Sequence, residues 1–111
     1  MTSGMNTMIF PARDLARAKK MFAGLLGVEP YADEPYYVGF RIGDQEVGLD
    51  PHGHAHGATA YWTVPDLKGS LQGLLDAGAK EVEPVRDVGG GKLIAAVQDP
   101  DGNIIGLTQN P

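Results

Sequence analysis

Three histidines alternate with small residues in the stretch His52-Gly53-His54-Ala55-His56-Gly57. Alternate side chains of an extended segment project to one side, so this spacing could bring imidazoles together on a metal ion. Two glycines and the preceding Pro51 make the stretch a loop. The one carboxylate close by, Asp50, reaches it only if the chain folds back. The loop is therefore better suited to contacting a ligand or a proton than to holding a metal. Tyr36, Tyr37 and Tyr61 are a second group with chemical use, because a phenol can stack on a flat ligand and orient it through its hydroxyl. Taken alone, Tyr36 or Tyr37 reads more readily as a strand tyrosine covering the core. Arg86 and Asp87 precede Gly89-Gly90-Gly91. That triplet lacks the following helix and the Lys-Ser/Thr ending of a phosphate-binding loop, and reads as a flexible hairpin or lid. Asp99 and Asp101 lie in a turn, where carboxylates bond to backbone amides. No Ser-His-Asp set and no catalytic carboxylate pair stands out.

The elements that must position these residues fall into two similar halves. Asp14 is a suitable N-cap for a helix carrying Leu15, Ala18, Phe22, Leu25 and Leu26, and Gly27 is placed to end it. Asp66 opens a second helix with Leu67, Leu71, Leu74 and Leu75, closed by Gly78. A strand precedes each helix, at 7–12 and 59–64. Further strands follow at 36–42 and 46–50 in the first half, and at 80–86, 92–98 and 103–109 in the second. Val47-Gly48-Leu49 and Ile105-Gly106-Leu107 correspond in the two halves, as do Asp14-Leu15 and Asp66-Leu67. This is a repeat of roughly fifty residues. The predicted units are about 1–57 and 58–111, within a single α+β domain.

The chain's 111 residues suit one domain. An apolar share of 42% with 21% charged residues is that of a globular protein. The 16 glycines imply many tight turns. A net charge of −5 argues against nucleic acid or an anionic membrane as partner. The absence of cysteine excludes disulfides, thiolate metal sites and cysteine nucleophiles. No apolar run is long enough to span a membrane, and the first residues show no signal-peptide pattern. A cytoplasmic location is the expectation.

The duplicated strand-helix-strands unit resembles the vicinal oxygen chelate superfamily, which includes glyoxalase I, extradiol dioxygenases, and the bleomycin and fosfomycin resistance proteins. The resemblance rests on Asp14-Leu15 with Phe22 and Leu25-Leu26-Gly27-Val28, and on Asp66-Leu67 with Leu74-Leu75 and Ala77-Gly78-Ala79. Its most specific piece is Asp99-Pro100-Asp101-Gly102-Asn103 followed by Ile104-Ile105-Gly106-Leu107. It implies two tandem βαβββ units forming an open-barrel cleft, and a homodimer.

The resemblance also implies four metal-ligand positions, one on the first and one on the last strand of each unit. Here they read Thr7, Gly48, Thr59 and Gly106. Threonine is a poor ligand for zinc, nickel or iron, and glycine has no side chain to offer. No metal and no cofactor are therefore expected. The register that this implies turns Thr7, Ile9 and Pro11, then Thr59, Tyr61 and Thr63, then Ile104, Gly106 and Thr108 toward the cleft. It turns Trp62 toward the helices. The expected ligand-binding set is Tyr36, Tyr37, Gly48, His52, Thr59, Tyr61, Thr63 and Gly106. The expected function is small-molecule binding without a catalytic metal, as in the bleomycin-resistance branch. The alternatives are a metal-dependent lyase, isomerase or dioxygenase, for which the histidine loop is the one foothold, and an accessory subunit whose cleft is filled by its own side chains. Tyr61→Ala is expected to weaken ligand binding and leave the fold intact.

Overall fold

A computed structural model of the chain describes residues 2–53 and 57–111. The elements run β1 (Gly4–Pro11), α1 (Leu15–Leu26), β2 (Ala32–Glu34), β3 (Tyr37–Ile42), β4 (Gln45–Asp50), β5 (Thr59–Thr63), α2 (Leu67–Asp76), β6 (Lys80–Asp87), β7 (Leu93–Gln98) and β8 (Ile104–Gln109). The sequence missed β2, a strand of three residues that pairs with β3 from Ala32 opposite Gly39 to Glu34 opposite Tyr37. Ala-Asp-Glu carries no β-branched or aromatic residue, so pairing and not propensity makes it a strand.

The chain forms two compact units. One is Asn6–Thr59; the other is Ala60–Pro111 together with the N-terminal residues up to Met5. Those first residues join the second unit through Thr63, whose carbonyl accepts from the Ser3 amide (3.0 Å) and the Thr2 hydroxyl (2.6 Å). Both units are βαβββ in chain order and share one topology. In the first the strand order is β2-β3-β4-β1, with β1 and β4 parallel. In the second it is β6-β7-β8-β5, with β5 and β8 parallel. The fold is α+β, as the repeat implies.

Each helix starts where its aspartate caps it. The Asp14 carboxylate accepts from the Arg17 amide, and that of Asp66 from the Gly69 amide, both at 3.1 Å. Gly27 ends α1 in the left-handed conformation (φ 72°). α2 instead ends on Ala77 in a right-handed conformation, with Gly78 one residue beyond.

Strand alternation sends one face of each sheet to its helix. In the first unit Val38, Phe40, Leu49 and Ala12 form the core, with Phe10 and Phe22 packed against it, ring centroids 5.0 Å apart. In the second the core is Val64, Leu67, Leu71, Ala95, Val97 and Leu107, and Trp62 packs on it as its register requires. The opposite face therefore carries Tyr37, Gly39, Arg41, Glu46, Gly48 and Ile9 in the first unit. In the second it carries Tyr61, Ala96, Gly106 and Thr108.

Candidate functional site

Two small residues opposed across neighbouring strands leave a trough in a sheet, and each unit has one. In the first, Gly39 on β3 lies opposite Gly48 on β4, with Ile9 of β1 on the far side of Gly48. Tyr31 and Tyr37 lie over this pair. A Cβ added at Gly39 would come within 2.8 Å of the Tyr31 ring and 2.9 Å of the Tyr37 ring; one added at Gly48 would collide with the Tyr37 hydroxyl and, at 2.5 Å, with Ile9 Cδ1. The glycines thus permit a seating that no side chain would allow.

The two phenols converge on one atom. Tyr31 donates to Glu46 Oε2 at 2.6 Å, and Tyr37 donates to the same oxygen through a short hydrogen bond. Glu46 is two residues before Gly48 on the same strand face. Burial pushes the Tyr31 hydroxyl up to about 12, with the Glu46 hydrogen bond and negative charge adding to the effect. The same causes, in the same order, raise Tyr37 above its ordinary value. Both phenols remain protonated donors at neutral pH. Arg41 lies directly across from Glu46 on β3, yet its guanidinium sits over the Tyr31 ring, 3.9 Å from the centroid.

In the second unit the trough is Ala96 opposite Gly106, with Tyr61 opposite Gly106 on its other side. A register shift in β6 brings Glu83 opposite Ala96. Glu83, Ala96, Gly106 and Tyr61 therefore form one row across four strands. The Tyr61 side chain reaches along that row and donates to Glu83 Oε1 at 2.8 Å, and Arg86 approaches Glu83 Oε2 at 3.4 Å. A Cβ at Gly106 would lie 2.5 Å from Tyr61 Cδ2 and 2.7 Å from Cγ.

The expected residues are thus partly assembled. Tyr37 and Gly48 meet in the first unit, Tyr61 and Gly106 in the second. Tyr36 stands apart, 68% exposed in the turn between β2 and β3. Exposed His52 donates its backbone amide to Asp50 Oδ1 at 2.8 Å, so Asp50 closes a turn. His54 and His56 lie outside the described residues. Thr59 is buried, and its hydroxyl has no hydrogen-bond partner among the described residues; the same is true of Thr108. Thr63 contributes its carbonyl to the N-terminal residues. Tyr61 is only 6% exposed. Tyr61→Ala would therefore leave a cavity beside Gly106 as well as remove the hydroxyl, and phenylalanine is the substitution that isolates the hydroxyl.

Tyr31, Gly39, Glu46 and Glu83 were not singled out from sequence. Glu46 could have been, being on the same strand face as Gly48. The others depend on cross-strand register.

A divalent metal does not fit the four positions the resemblance marks. Thr7 and Thr59 offer neutral hydroxyls. Gly48 and Gly106 offer nothing, and the space a carboxylate would need there is taken by Tyr37, Ile9 and Tyr61. Among the described residues no group of three or more His, Asp or Glu side chains converges as a metal site. No helix among them is long and apolar enough to cross a membrane.

The architecture has close counterparts among solved structures. Methylmalonyl-CoA epimerase from Mycobacterium tuberculosis superimposes with a TM-score of 0.78 at 16% identity, over 99% of this chain and 89% of that one. A glyoxalase/bleomycin resistance protein/dioxygenase superfamily member from Vibrio splendidus 12B01 gives 0.72 at 19% identity, over 95% and 97%. The Mn(II)-bound glyoxalase from Novosphingobium aromaticivorans gives 0.73 at 16% identity, over 97% of this chain and 39% of that longer one. At these identities the likeness is one of fold. No curated protein matches the sequence. The profile of one family matches residues 4–107, nearly the whole length, and the chain belongs to that family, the Glyoxalase/Bleomycin resistance protein/Dioxygenase superfamily.

Proposed function

We propose that this chain binds a small organic molecule on the sheet faces opposite its helices, without a catalytic metal. One observation carries the reading: in each unit the glycine at the implied ligand position lies under a tyrosine whose hydroxyl is tied to a carboxylate. The fixed aromatic rings with a polar anchor beside them are what a flat, polar ligand requires. The family name includes a drug-resistance protein, and the net charge of −5 favours a cationic ligand. A homodimer is part of the proposal, with sedimentation equilibrium as its test.

The experiment is metal content by atomic spectroscopy on tag-free protein prepared without chelator and dialysed. Only traces of metal are expected. One metal per chain, surviving dialysis, would overturn the reading and turn attention to the metal-dependent alternative. Calorimetric titration with metal-free bleomycin then tests ligand capture, with Tyr61→Phe expected to weaken any binding seen.

The tyrosines over Gly48 and Gly106 also favour a second reading, an accessory subunit whose site its own side chains fill. It would give neither metal nor saturable binding across a panel of aromatic cations.

A further inference from the structure

Glu46 is a half-buried residue, and its carboxylate takes two phenolic hydrogen bonds on a single oxygen, Oε2. Among the described residues its other oxygen has no hydrogen bond and no cation lies within ion-pair distance of it. A carboxylate partly shielded from water gains from pairing with a cation. A cation is at hand: Arg41 is its direct cross-strand neighbour. That guanidinium is nevertheless spent on the Tyr31 ring. Tyr31 and Tyr37 are themselves seated over Gly39 and Gly48, whose missing side chains make room for the rings. Such seating holds the donors, and the carboxylate they fix, in one arrangement before any ligand arrives.

We infer that Glu46, oriented by Tyr31 and Tyr37, is the binding site for the cationic group of a small organic ligand, an ammonium, amidinium or guanidinium. The free oxygen accepts the charge-assisted hydrogen bond, and the adjoining phenol rings take the apolar body next to the charge. The assignment rests on the reading of the chain as a binder of a small cationic molecule and adds the residue that anchors the charge and the two phenols that orient it.

The test uses three probes of one shape on the intact chain: benzamidine (cationic), benzamide (neutral) and benzoate (anionic). Backbone amide shifts are followed by two-dimensional NMR. Saturable shifts centred on Tyr31, Tyr37 and Glu46 are expected with benzamidine, with little or no change from the other two. Glu46→Gln keeps the shape and removes the charge, and is expected to weaken benzamidine about tenfold, the scale of one charge-assisted hydrogen bond. Should Glu46→Gln fail to fold, the contrast between benzamidine and benzamide on the natural chain decides alone. Equal binding of benzamide, shifts centred elsewhere, no shifts at all, or undiminished binding by folded Glu46→Gln would each overturn the assignment. The metal measurement is separate. Stoichiometric metal would fail the metal-free reading, whereas silent benzamidine spectra on metal-free protein would fail only this inference.

Discussion

The two units share one topology, an aspartate-capped helix and a glycine at the same place on the last strand, but they differ in how each part is held. α2 buries Leu67 and Leu71, whereas α1 buries none of its residues. Leu67 has no exposed surface, and Leu15, its counterpart directly after the cap, is only half-buried. Met21 and Leu25 of α1 are exposed. The second glycine is covered by the base of a ring directly across from it, the first by the tips of side chains. Duplication has thus preserved the frame of the unit, while the packing on each side of the sheet has diverged.

The largest effect should separate the helices. Leu67→Ala is expected to cost about 2–5 kcal/mol, because it empties a closed core site. Leu15→Ala should cost well under half as much, since its site is already open to water. Chemical denaturation of the two variants checks this, and equal losses would mean that α1 is anchored as firmly as α2.

The glycines come next. Neither Gly48 nor Gly106 has a positive φ, so alanine is conformationally allowed at both and gains about 0.4–1 kcal/mol by restricting the unfolded chain. At Gly106 the new methyl meets Tyr61 at Cγ and Cδ2, atoms that cannot move without shifting the ring from its root. An overpacking cost of about 1–3 kcal/mol should exceed the gain, leaving Gly106→Ala destabilised. At Gly48 the methyl meets the Tyr37 hydroxyl, Tyr37 Cε1 at 2.7 Å and Ile9 Cδ1 at 2.5 Å. Ile9 can rotate away, but the Tyr37 ring must give up its bond to Glu46, so Gly48→Ala should also be destabilised, by less than Gly106→Ala. Its mark should be chemical: Tyr37 is displaced from Glu46 and its titration moves back toward the ordinary phenol value.

How much of this was legible follows from what each feature depends on. The caps, the helices, the repeat and the faces of the strands come from local periodicity, and Trp62, Tyr61 and Gly106 lie on the faces that alternation assigned them. The troughs depend on which residues oppose each other across strands, which a single sequence does not encode locally. Gly39 looked like an ordinary strand glycine until β3 and β4 set it opposite Gly48. Glu83 reaches the row of Tyr61 only through a register shift in β6, where Pro84 sits in the strand at the end of the order. Tyr31 lies just before β2, the strand that propensity could not reveal.

The smallest effect lies in the first unit alone and is read by alkaline titration. An unfolded tyrosine loses its proton near pH 10. Tyr31 is held up to about 12 in the folded chain, and Tyr37 is raised as well. A raised folded value means that the folded state keeps protons the unfolded state releases. The stabilisation this reflects is fully present below about pH 10 and is lost as pH rises toward 12. Absorbance at the phenolate band should show late-titrating tyrosines, and denaturation midpoints should fall over the same interval. Burial is the largest single cause of both shifts, followed by the hydrogen bond and the charge of Glu46. Glu46→Gln should therefore lower both midpoints without returning them to the ordinary value. A complete return would make the carboxylate, and not the seating over Gly39 and Gly48, what holds the two phenols apart from water.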